Sequence, residues 1–74
     1  MLETVTAILQ KYKHDAGLRV LPETRLEALG LDSLDMVQIM MDVETVCGVT
    51  IALDRPAKTV GEILALVAEA QKRG

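Results

Sequence analysis

Apolar residues at Leu2, Val5, Ile8, Leu9 and Tyr12 recur at helical spacing and predict a first helix from about Leu2 to His14. Glu3 falls in its first turn and Lys11 and Lys13 in its last, as the helix dipole prefers, and Gly17 is the expected stop. Residues 15–32, "DAGLRVLPETRLEALGLD", form a long connection in which Pro22 breaks any helix. Leu18, Val20, Leu21, Leu26, Leu29 and Leu31 run through it, so the connection packs on a core or has a job, and "ETRLEALG" has room for a short helical turn. A second helix begins at Ser33 or Leu34 and ends at Gly48, with Asp32 as N-cap and Asp35 as a weak capping-box partner. A short helix after Asp54 takes Pro56 in its first turn. The last helix starts at the T-x-x-E capping box of Thr59 and Glu62 and buries the stripe Val60, Ile63, Leu64 and Val67. The sum is an all-α antiparallel bundle of three main helices and one short one, with a long first loop.

The second helix carries two apolar tracks where a bundle helix needs one. One runs Met36, Ile39 or Met40, Val43, Cys47; the other runs Leu34, Val37, Met41 among Asp35, Gln38, Asp42 and Glu44. A central helix touching neighbours on most sides accounts for this pattern. So does a docking surface, in which an apolar track rimmed by acids meets a partner and methionine adapts to several partners.

Composition narrows the picture. A chain of 74 residues predicts one domain, residues 1–74, which buries about 60% of the surface its unfolded chain exposes. That leaves room for a modest core but hardly for a deep substrate cavity. With one tyrosine and neither Trp nor Phe, the core is aliphatic and suits packed helices. From Leu26 to Asp54 stand six acids and no Lys or Arg, while the rest of the chain holds eight bases against five acids; the overall charge is −3. This acidic centre points to basic protein partners and argues against nucleic acid, which needs a basic face. The lone cysteine, Cys47, excludes an internal disulfide and fits a reducing compartment such as the cytoplasm. No signal peptide and no membrane-spanning stretch is read, and the expected state is a monomer.

Ser33 is the only serine and lies in "GLDSLDMVQIMM". With Asp32 already at the cap, its hydroxyl is free in the first helical turn, where unpaired backbone N–H groups favour a phosphate. A hydrolase nucleophile is disfavoured. The single histidine, His14, lies at the end of the first helix, and the surroundings read G-L-D-S-L rather than G-x-S-x-G.

These residues resemble a known family. "LGLDSLD", residues 29–35, is similar to the phosphopantetheine attachment motif of acyl carrier proteins. The likeness extends over the first helix, the loop with "LPETRLEALG", the acidic second helix and "VTIALDRPAKTVGEILALV". It implies an acyl-carrier-protein-like bundle in which a phosphopantetheinyl transferase moves 4′-phosphopantetheine from coenzyme A onto Ser33. The arm's thiol then holds an acyl or aminoacyl thioester, and the carrier does no chemistry itself. Asp32 and Asp35 would frame the modified serine, Leu34, Val37 and Met41 would be apolar docking contacts, and Asp42 and Glu44 rim charges. The partners implied are acyl-loading and acyl-processing enzymes with basic patches, and the core can shelter the acyl chain.

Gln38 and Thr45 stand where the family's fatty-acid carriers usually place acids, and Cys47 occupies a core position often held by a larger residue. These departures favour a specialised, stand-alone carrier over the housekeeping fatty-acid role, for a polyketide, a lipid modification or an aminoacyl group. The rival from another class is an unmodified helical adaptor using the same acidic-apolar face. Of the remaining residues, His14 reads as an ordinary C-terminal-turn histidine and Cys47 as an inert core thiol. Arg19 and Arg25 are placed to bridge to acids of the second helix, and no calcium or other metal loop is present.

Overall fold

The computed structural model describes residues 1–51 and 57–73. Helix α1 spans Leu2–Lys13, α2 Ser33–Cys47 and α3 Val60–Arg73, and a 3-10 turn covers Leu26–Leu29. The short helix expected after Asp54 lies outside the described residues.

Each helix buries one stripe against the other two. From α1 come Val5, Ile8 and Leu9, from α2 Ile39, Met40 and Val43, and from α3 Val60, Ile63 and Val67. Leu2, Tyr12 and Leu64 pack on the edge of this core. The long first connection contributes Val20, Leu26 and Leu31 to the same core, so its apolar content is structural; Leu21 alone of its large apolar side chains stays exposed.

Helix α1 ends where expected, at Lys13 and His14, but Gly17 is not what stops it. His14 takes the left-handed conformation at φ 55°, its N–H donates to Lys11 O, and the Asp15 N–H donates to Gln10 O at 2.9 Å. That pair of bonds is a Schellman closure made without glycine; histidine is among the residues that enter this region most readily. Gly17 instead donates its N–H to Asp15 Oδ1 in a following turn. Helix α2 ends as expected at Gly48, φ 66°.

The loop is fastened to the start of α3. Leu26 N–H donates to Lys58 O and Val60 N–H to Thr24 O, which pairs Arg25 with Thr59 in an isolated antiparallel bridge. Gly61 N–H donates to Pro22 O at 2.7 Å. The expected box at α3 is present in altered form: Thr59 Oγ1 accepts the Glu62 N–H, while Glu62 Oε2 reaches one residue further back, to the Lys58 N–H.

Candidate functional site

The first turn of α2 is held by reciprocal bonds. Asp32 is extended at φ −101°, and its Oδ1 accepts the Asp35 N–H at 2.9 Å. Asp35 Oδ2 accepts the Asp32 N–H at 3.0 Å, and the Asp32 carbonyl takes the Met36 N–H. The capping box is complete, although an aspartate stands at the position where the longer Glu or Gln is usual.

Between those acids Ser33 is exposed, and its hydroxyl makes no hydrogen bond to a described residue. The backbone N–H groups of Ser33 and Leu34 also have no acceptor among the described residues. A phosphate joined to Ser33 Oγ therefore meets unpaired donors at the positive end of α2. The residues present fit a phosphopantetheine arm on chemical grounds: a free hydroxyl, free amides, and open space beside them.

That space is a groove of about 450 Å³. Leu26, Leu31, Met36, Val37 and Met40 supply its apolar walls, Ser33 and Asp32 belong to its lining, and Arg25, Glu27 and Lys58 bring charge to it. The expectation of little room for a cavity is corrected here. The 3-10 turn, Leu31 and α2 all contribute to its lining, and Leu26, Leu31 and Met40 serve the groove and the core at once.

Asp35 is tied across the bundle as well. Tyr12 Oη donates to Asp35 Oδ1 at 2.6 Å. This bond, joined by the N–H of Asp32, holds the Asp35 carboxyl below its ordinary range. The same bond, aided by burial and the charge of Asp35, holds the Tyr12 phenol above its own. Sequence reading placed Tyr12 only in the α1 stripe; its spacing from Asp35 carries no local signal.

The second apolar track of α2 is at the surface: Leu34 is 80% exposed, Val37 50% and Met41 49%. Gln38 Nε2 donates to Asp42 Oδ1 beside it. Val46, on neither track, is also exposed. Glu44 differs from the expectation of a free rim charge. It is half-buried, and its Oε2 accepts the Ile51 N–H at 2.8 Å, so it anchors the chain after Gly48. Arg19 and Arg25 do not reach α2 acids. Arg19 donates to Leu18 O and Ala16 O, and Arg25 pairs with Glu27 at 3.6 Å in the open. Cys47 is half-buried at the core's margin, its Sγ 4.0 Å from Met1 Sδ, and not at the core's centre. Among the described residues no helix is long and apolar enough to cross a membrane.

A helical bundle with one free serine at a capped helix start, flanked by a groove and an exposed apolar track, is the architecture of a carrier domain. The family described as phosphopantetheine attachment site matches residues 3–67, and the chain belongs to it, as a member of the acyl carrier protein family. That family is defined by covalent attachment of 4′-phosphopantetheine, and its carrier domains are generally non-catalytic. They work with phosphopantetheinyl transferases and biosynthetic enzymes. No curated protein matches the chain at a significant level.

Proposed function

We propose that residues 1–74 act as a single carrier domain whose attachment residue is Ser33. The observation that carries this reading is the unbonded, exposed Ser33 hydroxyl in the first turn of α2, beside a groove of about 450 Å³. In the modification, Ser33 Oγ forms the new bond to phosphorus as the pyrophosphate bond of coenzyme A breaks, 3′,5′-adenosine diphosphate departs, and the serine proton passes to the transferase. The arm supplies the thiol that holds an acyl or aminoacyl group as a thioester. The chain's own residues do the rest. The free N–H groups of Ser33 and Leu34 face the phosphate, and Met36, Val37 and Met40 offer apolar contact to arm or cargo. Leu34, Val37 and Met41 meet partner enzymes, with Asp32 and Asp42 attracting their basic patches. Glu44 takes a lesser part, since its carboxylate is engaged internally.

On this reading the chain is no enzyme. It is a monomeric partner of acyl-loading and acyl-processing enzymes in fatty-acid, polyketide or related biosynthesis, and the reducing cytoplasm suits its free Cys47. The test is intact mass after incubation with coenzyme A, Mg²⁺ and a broad-specificity phosphopantetheinyl transferase. The parent gains one phosphopantetheine and Ser33→Ala gains none. A folded parent that stays unmodified beside an active transferase sinks the reading in favour of the unmodified adaptor.

A further inference from the structure

The geometry points to Tyr12 as a positioning residue for the modification of Ser33, acting through Asp35 from the neighbouring helix. This inference rests on Ser33 being the attachment residue. Both oxygens of Asp35 are committed: Oδ1 to the Tyr12 hydroxyl at 2.6 Å and Oδ2 to the Asp32 N–H at 3.0 Å. Asp32 in turn gives one oxygen to the Asp35 N–H and its carbonyl to the Met36 N–H. Ser33 thus lies between two residues that hold each other. The outer anchor of that pair is a phenol on α1, which the core fixes through Ile8 and Leu9.

The consequence is a division of labour between two acids that look equivalent in sequence. Asp35 is turned inward and spends its carboxylate on geometry. Asp32 keeps Oδ2 without a partner among the described residues, available to an incoming cation. Removing the Tyr12 hydroxyl leaves the box in place but unties it from α1, so the first turn of α2 gains freedom just where Ser33 must meet an electrophile. A reacting oxygen that wanders costs turnover more than docking, because the exposed Leu34, Val37 and Met41 are unchanged.

The experiment is steady-state transfer from coenzyme A by a broad-specificity transferase, well below the melting temperature of every form. The substrates are the parent, Tyr12→Phe, Asp35→Ala and the double variant, with Ser33→Ala as the blank. The expected result for Tyr12→Phe is a kcat lower by about five- to tenfold with KM for the carrier nearly unchanged. The double variant should be no slower than Asp35→Ala alone, since the hydroxyl acts only through that carboxylate. A Tyr12→Phe protein modified at the parental kcat overturns the inference while leaving Ser33 as the attachment residue. Losses that multiply in the double variant overturn it too, as does a loss that only tracks the unfolded fraction. No modification of the parent overturns this inference together with the reading beneath it.

Discussion

Tyr12 is the only Tyr, Trp or Phe in the chain, so its near-ultraviolet absorbance reports one residue without overlap. Its hydrogen bond to Asp35 favours the protonated phenol and the ionised carboxylate together. Asp35 is depressed when folded; its contribution to stability is present above the unfolded carboxylate value of 3.8 and lost as pH falls through the folded one. Tyr12 is raised when folded; its contribution is present below the unfolded phenol value of 10.0 and lost as pH rises through the folded one. The bond therefore works fully between those limits. Phenolate absorbance should appear at higher pH in the parent than in Asp35→Asn, whose midpoint moves back toward the ordinary value. Equal midpoints would show that the bond does not form in solution. None of this was legible from the stripe to which Tyr12 belongs, because periodicity tells which face is buried and not which polar tip waits across the bundle. The Asp32–Asp35 box was legible, since both its members lie within one turn.

At the scale of elements, the start of α3 shows how a helix can be placed by a loop as much as by its own cap. A Cβ added to Gly61 would stand 3.0 Å from Pro22 O, an atom held by the Gly61 N–H itself. Alanine gains up to about 1 kcal/mol of helix propensity there. The backbone neighbour cannot retreat without stretching that bond and disturbing the bridge between Arg25 and Thr59, an overpacking cost of about 1–3 kcal/mol. Gly61→Ala should therefore lower stability by about 1 kcal/mol in urea titration; a rise would show that the Pro22 loop is free to move. Helix bounds were legible where a local signal stood alone: Asp32 and Thr59 at starts, Gly48 at an end. The end of α1 near His14 was legible too, but not the residue that closes it. His14 reaches the left-handed region before Gly17, and the closing bonds to Gln10 and Lys11 form there first. Glu44 misled for a related reason, as its acceptor role depends on where the chain after Gly48 turns back.

At the scale of the whole molecule, α2 divides a fold-building face from a face that the fold leaves uncovered. The sequence showed two tracks but offered two accounts of the second, a central helix or a docking surface. Exposure separates them: Ile39 is 0% exposed and Leu34, one and a half turns earlier, is 80% exposed. The same helix should therefore give opposite results with two substitutions of similar chemistry. Ile39→Ala leaves a hole in the core that Ile39 shares with Val5, Val43 and Ile63 and should cost about 2–5 kcal/mol of stability, read by thermal or urea melting. Leu34→Ser gives up little buried surface and should change stability by less than about 0.5 kcal/mol. If this track meets partners, Leu34→Ser instead weakens the transferase's grip, raising KM for the carrier while kcat stays near parental. That is the reverse of the pattern expected of Tyr12→Phe, so the two variants measured side by side separate docking from positioning on one helix. A Leu34→Ser protein that is modified with the parental KM would remove Leu34 from the docking face and leave Val37 and Met41 to carry it.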